Sequence, residues 1–214
     1  MQKSVLVIGS GIAGISASLK LKTYGVNSII IDKGRFIGGR ISSREIKETN
    51  YTNYFFHGAQ FFTAKSKSFK KVIEQGIKNN FIKEFGNFHP PRFRGHKTMR
   101  EFLTNLTVNL NVQQNKKIVG LKPSQKGISV LKENMKTWQN FDAVISTIPS
   151  PQNFSLMEKF PELQKTLDKS SYDSCIALMF SFNEIPKSIP IYFDFSKKRG
   201  ILNWMACGSN LNIW

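Results

Sequence analysis

Val5-Leu6-Val7-Ile8 is an unbroken apolar run rich in β-branched residues, the pattern of a short strand buried on both faces of a parallel sheet. Residues 12–21 change to a helical period, with Ile12, Ile15 and Leu19 on one face and Ser16 beside them. Gly25 punctuates that unit, and Ser28-Ile29-Ile30-Ile31 repeats the buried-strand pattern up to Asp32. Strand, helix and strand in this order predict a βαβ crossover.

Beyond it the pattern is more broken. Residues 44–53 are polar and read as a connecting loop, and residues 54–63 carry five aromatics. A helix is expected over 66–75, where Phe69, Val72 and Ile73 share a face and Gly76 is a stop signal. Residues 81–85 read as a strand. Residues 89–97 hold Pro90-Pro91 and the densest basic and aromatic cluster of the chain, and read as a solvated loop. Another helix is predicted over 98–106, with Met99, Phe102, Leu103 and Leu106 on one side. At Val108 the period falls to two. Val108, Leu110 and Val112 alternate with asparagines, and with 118–121 and 128–131 they predict a β-meander. Residues 141–148 read as a buried strand returning to the central sheet, followed by Ser150 as helix cap and Pro151 at the first helical position. Helices over 151–159 and 161–169 and strands over 175–182, 190–195 and 201–206 complete the reading. The class is α/β: a parallel sheet with a meander, joined to a smaller α+β part.

Composition adds charge and removes some functions. The chain of 214 residues has 31 basic and 14 acidic side chains, a net charge of +17. Nucleic acid or an anionic membrane would suit that charge. The lysines are scattered from Lys3 to Lys198, however, and outnumber the arginines favoured in phosphate and base recognition. No specific nucleic-acid partner is expected. The two cysteines, Cys175 and Cys207, lie in apolar stretches without metal-ligand spacing and read as buried thiols in a reducing cytoplasm. The run after Lys3 superficially resembles a signal peptide, but cleavage there would destroy the βαβ unit. No apolar stretch approaches the length of a membrane span.

Chemistry enters with Gly9-Ser10-Gly11-Ile12-Ala13-Gly14, set between the first strand and the first helix. Gly9 permits a tight turn, Gly11 removes a side chain where a pyrophosphate must approach backbone, and Gly14 lets helix and strand lie close. Asp32 follows the second strand, where a carboxylate can accept hydrogen bonds from both hydroxyls of an adenosine ribose. Arg35-Phe36-Ile37-Gly38-Gly39-Arg40 comes directly after that acid. A nicotinamide-binding unit has no need of it. A longer flavin dinucleotide does, because a second glycine backbone and a guanidinium can hold the far side of the diphosphate.

With these motifs the chain resembles the amine-oxidase-like flavoproteins, and most closely the renalase-like NAD/FAD-dependent oxidoreductases of bacteria. The resemblance rests on Gly9 to Gly14, Asp32-Lys33-Gly34-Arg35, Gly38-Gly39-Arg40 and Phe56-His57-Gly58-Ala59-Gln60-Phe61-Phe62-Thr63. Weaker matches run through Gly95 to Met99, Thr147 to Gln152, Ser174 to Ala177 and Asn203-Trp204. Phe56 stands where the family usually has an Asp.

The resemblance implies a Rossmann-type FAD-binding domain over 1–64 and 93–150 and an incomplete α+β substrate domain over 65–92 and 151–214. It implies FAD as cofactor, held by Gly9, Gly11, Ala13, Gly14, Asp32, Lys33, Gly38, Gly39 and Arg40. Ala59 and Gln60 would lie beside the flavin ring, and the backbone of Ile118 would meet the adenine. It also implies oxidation of a small amine or reduced nicotinamide-type substrate with O₂ as acceptor. Family members continue beyond Leu211-Asn212-Ile213-Trp214, so the chain resembles an amino-terminal part of one. Two other classes remain: a catalytically silent dinucleotide-binding remnant and a basic nucleic-acid-binding module. His57 reads as a packed or hydrogen-bonded histidine, and no residue is assigned as catalytic acid or base.

Overall fold

A computed structural model describes residues 3–47, 52–180, 192–194 and 204–206. The first two apolar runs form β1 (Ser4–Ile8) and β2 (Asn27–Ile31), with α1 (Ile12–Thr23) crossing between them. The hairpin β3 (Arg44–Lys47) and β4 (Thr52–Phe55) comes next, then α2 (Lys67–Lys78), β5 (Ile82–Glu84), β6 (Phe93–Gly95) and α3 (Met99–Leu106). The chain continues through β7 (Asn111–Gln113), β8 (Ile118–Ser124), β9 (Gly127–Lys132), β10 (Gln139–Phe141) and β11 (Ala143–Ser146). α4 (Ser150–Phe154), a 3₁₀ turn at Ser155–Met157, α5 (Pro161–Asp168), β12 (Tyr192–Asp194) and β13 (Trp204–Ala206) follow.

The central sheet has the order β11-β1-β2-β7 and is parallel throughout. It is a Rossmann-type α/β sheet. Val5 pairs with Ser28 on one side and Ala143 on the other, so residue 143 is brought beside a residue 138 positions earlier. Side chains alternate across β1. Leu6 and Ile8 join Ile31, Ile118, Leu121, Val130, Phe141, Leu156 and Met157 in one buried cluster, which the meander and the carboxyl-terminal helices supply. Val7 and Ile30, both fully buried, fall on the other face, where α1 covers them with Ile15.

The chain divides into two compact units, residues 1–39 with 103–175 and residues 40–102 with 176–214. The first holds the parallel sheet, α1 and the meander β8-β9-β10. The second is built on aromatic rings. Phe62 stacks on Phe102 at 4.9 Å between centroids and also meets Phe69 and Phe93, while Phe62 and Phe93 exchange backbone hydrogen bonds of 2.8 Å.

Several expectations are corrected. Residues 44–47 are not loop but strand β3, since pairing with β4 satisfies backbone groups that a polar sequence does not reveal. Part of the 89–97 loop is strand β6, paired with β5, and its Arg94 is only 8 % exposed. Gly76 does not end α2; it lies inside it, where a Cβ would meet the Ile82 side chain at 2.3 Å. The buried face of α1 carries Gly14, Ile15 and Ser18, whereas Ser16 is exposed. Val108 is 75 % exposed, and the alternating segment after it enters the parallel sheet as β7 rather than the meander.

The strand predicted over 141–148 is split. Phe141 ends β10, Asp142 turns the chain, and β11 begins at Ala143. Pro149, not Ser150, caps α4, and a 3₁₀ turn follows it. Residues 175–180 are in no strand, and Ile176 and Leu178 are almost wholly exposed; residues 181 and 182 lie outside the described set. Cys175 is an exposed free thiol rather than a buried one, and Cys207 lies outside the described residues. Within the last two predicted strands, Tyr192–Asp194 and Trp204–Ala206 pair antiparallel. Among the described residues no helix is long and apolar enough to cross a membrane.

Asp142 ties the meander to the start of the sheet. Its Oδ2 accepts from the Ser4 N–H at 2.6 Å and from the Ser4 hydroxyl at 2.8 Å. These bonds, the backbone one first, hold its carboxyl below the ordinary carboxylate value. The ionised form is therefore favoured by folding. The stabilisation is complete above the unfolded value of about 4 and is lost as pH falls through the lower folded value. Asp142→Asn is expected to flatten the acid limb of the stability curve between about pH 5 and pH 2, as read from urea midpoints across that range.

Candidate dinucleotide site

The site is assembled at the carboxyl ends of β1 and β2, where ligands of open α/β sheets bind. Gly9 leaves β1 with φ of +104°, a conformation that glycine adopts without strain. Its N–H donates to the Ile31 carbonyl at 2.9 Å, so the first turn is fastened to the end of β2. Gly14 then packs directly over it. A Cβ on Gly14 would lie 1.9 Å from the Gly9 oxygen and 2.9 Å from Thr147 Oγ1. Thr147, just past β11, donates its hydroxyl to the Ile8 carbonyl at 2.8 Å. Nothing local in the sequence marks Thr147 for this task, because its partners lie across the sheet.

Gly11 is different. A Cβ there would meet nothing within 4 Å, and its backbone is extended at φ −73° and ψ 178°. It is the cap residue of α1. No side chain caps that helix and its first turn holds no acid, while Lys20 and Lys22 stand in its last turn. The positive end of the helix dipole is thus met by neither a side-chain cap nor an acid of its own first turn. Ala13 is exposed within this first turn.

Asp32 is half-buried, and its carboxylate already serves the chain. Oδ2 accepts from the Ser10 N–H at 2.6 Å and from Ser10 Oγ at 2.8 Å, and Oδ1 accepts from the Gly34 N–H at 2.6 Å. Ser10 is fully buried. Its own carbonyl accepts from the Gly38 N–H at 3.0 Å, and Gly11 and Gly38 form a parallel bridge. The Gly38-Gly39 pair is thus laid against the first glycine turn, with a Cβ on Gly39 falling 3.8 Å from Gly11 Cα. Lys33 is exposed beside Asp32. The Asp32 backbone is held on its far side by Gln113 and Lys116, two residues before Ile118. Ile118 itself is buried in the same core cluster as Ile31.

Arg40, Ala59 and Gln60 belong to the second unit. The Arg40 carbonyl accepts from the Ala59 N–H at 3.0 Å, and Gly58 must lack a side chain because its Cβ would lie 2.0 Å from that same carbonyl. Gln60 turns its amide nitrogen back to the Phe56 carbonyl. Phe56 is buried and His57 exposed. Ser43, also buried, accepts the Met99 N–H at 3.1 Å, and its carbonyl accepts from the Arg100 guanidinium.

The structure therefore brings Gly9, Gly11, Ala13, Gly14, Asp32, Lys33, Gly38, Gly39 and Ile118 into one unit, and Arg40, Ala59 and Gln60 into the other. It adds Ser10, Gly34 and Thr147, which stand within the sequence motifs but had no role assigned from sequence. A cleft of about 470 Å³ opens at the opposite, amino-terminal end of the same strands, lined by Lys3, Ser4, Asn27, Asn111 and Phe141. It lies away from the glycine turns, at the end of the sheet opposite to that where ligands of open α/β sheets bind.

Comparison with known proteins agrees with this architecture. Residues 7–75 match the NAD(P)-binding Rossmann-like domain. The chain is 26 % identical over 155 residues to a probable zeta-carotene desaturase of Synechococcus elongatus, covering 65 % of this chain and 32 % of that protein. It is 46 % identical over 46 residues to lysine-specific histone demethylase 1 of Caenorhabditis elegans, covering 22 % of this chain and 6 % of that one. Among solved structures it resembles a CLA-producing fatty acid isomerase from P. acnes, with a TM-score of 0.61 at 9 % identity over 78 % of this chain and 64 % of the other. The chain spans about a third of the desaturase and a small part of the demethylase.

Two glycine substitutions separate packing from ligand access. Gly14→Ala is expected to destabilise the fold by about 3 kcal/mol or more, because the added carbon meets rigid backbone. Its thermal midpoint should fall by roughly 10 °C. Gly11→Ala should stay within about 3 °C of the parent, since only a modest helix-cap preference is lost. Differential scanning calorimetry of the two variants compares them directly.

Proposed function

We propose that this chain binds FAD and belongs to a flavin-dependent oxidoreductase of the renalase-like and amine-oxidase-like kind. Its substrate is a small reduced nitrogen-containing molecule, an amine or a reduced nicotinamide-type compound, and O₂ accepts the electrons. The observation that carries the reading is the bridge between the two glycine turns. A βαβ unit with Asp32 suits any adenine dinucleotide, whereas a second glycine pair hydrogen-bonded to the first adds backbone on the far side of a diphosphate. The desaturase and demethylase similarities support the same class.

The residues present suit the cofactor. The space in front of Gly11 is open, and the amino terminus of α1 is uncapped by any side chain. Gly9, Gly11, Ala13 and Gly14 would hold the diphosphate, Asp32 and Lys33 the adenosine ribose, and the Ile118 backbone the adenine. Gly38, Gly39 and Arg40 would close on the diphosphate from its other side, with Ala59 and Gln60 beside the ring. We assign the FAD-binding domain to 1–64 and 93–150, and a substrate-binding part to 65–92 and 151–214. Bound FAD supplies the two-electron acceptor, leaving the chain to bind, orient and shield it. Free Cys175 suits a reducing, cytoplasmic setting.

Purified chain incubated with FAD should retain a yellow, protein-bound flavin through gel filtration. Its visible absorption should bleach anaerobically on addition of a primary amine or a reduced nicotinamide and return on admission of air. Gly11→Ala should weaken FAD binding at least about tenfold, because a methyl group then occupies the approach to the backbone. A chain that takes up no FAD, or a Gly11→Ala variant that binds it as tightly as the parent, overturns the proposal.

A further inference from the structure

Ser10 occupies the position between the first two glycines, and its side chain, fully buried, does not face solvent. Every polar group of the residue is nonetheless engaged. Its N–H and its hydroxyl both donate to one oxygen of Asp32, and its carbonyl accepts from Gly38. One small residue thereby joins the first glycine turn, the acid and the second glycine turn.

The arrangement has a consequence for Asp32. An ionised carboxylate has about four lone-pair positions, two on each oxygen. Ser10 fills both on Oδ2, and the Gly34 N–H takes one on Oδ1. The position left is on Oδ1, and the carboxylate is not free to rotate and offer another. Hydrogen bonds from neutral donors to a charged acceptor are short and strong, so the orientation is fixed before any ligand arrives.

We infer that Ser10 is a positioning residue for the adenosine ribose: by holding Oδ2 it aims the single open acceptor of Asp32 at one ribose hydroxyl. The inference rests on the dinucleotide reading above. Ser10 touches no ligand in this scheme, and its whole effect passes through Asp32. Removal of its hydroxyl leaves the carboxylate held by the Ser10 and Gly34 backbone N–H groups alone and opens a second acceptor position on Oδ2, so the ribose meets an acceptor that is less tightly aimed.

The test uses the full chain and two probes, ADP and 2′,3′-dideoxy-ADP, titrated by calorimetry together with FAD. Ser10→Ala is expected to weaken ADP and FAD by about tenfold, the scale of one hydrogen bond to a charged group. It should leave dideoxy-ADP, which lacks both ribose hydroxyls, within about twofold of the parent. In an Asp32→Asn background the same Ser10→Ala change should have little further effect on ADP, as expected of two residues acting as one unit. Ser10→Cys, which keeps the volume but exchanges the hydroxyl for a weak donor, should reproduce the loss if the alanine variant folds poorly.

Equal weakening of ADP and dideoxy-ADP would mean that Ser10 merely supports the turn, and overturns the inference. So would unchanged ADP affinity in Ser10→Ala and Ser10→Cys. A parent chain that binds neither FAD nor ADP overturns the dinucleotide reading as well, an outcome visible before any variant is made.

Discussion

The rest of the first unit depends on one contact between backbones. The α-carbon of Gly14 sits so close to the Gly9 carbonyl that a single added carbon would lie 1.9 Å from the oxygen. Helix α1 can therefore lie against β1 with its first turn directly above the exit of the strand. Thr147 closes the same contact from just beyond β11, through its hydrogen bond to Ile8. The approach fixes both the height and the direction of the helix terminus, and hence where its unpaired N–H groups point. An overpacked turn would cost a sizeable share of the stability of an ordinary domain.

Around that contact the polar groups divide into those the chain uses and those it leaves. Asp32 is largely consumed by Ser10 and Gly34, and the Ser10 carbonyl by Gly38. These bonds fasten three loops that lack regular pairing and would otherwise expose backbone donors. The start of α1 has no side-chain cap, no acid within its own first turn, and an open space before Gly11. A single acid held tightly beside an uncapped helix terminus gives the site two distinct signs of charge within one turn. That polarity suits a ligand with anionic phosphates at one place and hydroxyl donors at another.

The second unit stabilises charge in another way. Arg92 lies 4.2 Å from the centroids of Phe61 and Phe88, and Arg94 lies 4.8 Å from that of Phe85. Flat guanidinium groups are weakly hydrated and stack on rings, so they enter an aromatic cluster at less cost than an ammonium. Lys83, close to Arg94, shows the contrast. Burial first, and then the positive charge of Arg94, lower its pKa from the ordinary lysine value, although Glu101 acts the other way. The high net charge is thus not a single exposed patch; part of it is packed among phenylalanines.

The amino-acid sequence by itself determined the parallel βαβ unit, because Val5 to Ile8 and Ser28 to Ile31 can be buried on both faces only between neighbouring strands. It also determined the glycine positions, since their spacing encodes a turn at Gly9 and the approach of Gly14 to it five residues later. The helices with a clear apolar face, α2 and α3, were legible for the same local reason. The tertiary structure decided what depends on distant partners. Polar residues 44–47 became a strand because Thr52–Phe55 pairs with them, and Arg94 left solvent because rings from other segments surround it. Residues 111–113 joined the parallel sheet because the edge of β2 was open to them. Ser10 and Thr147 acquired their tasks only when folding placed an acid 22 positions away and a carbonyl 139 positions away within hydrogen-bonding reach. Periodicity records which face of an element is buried, but the geometry of a hydrogen bond is set by both of its ends.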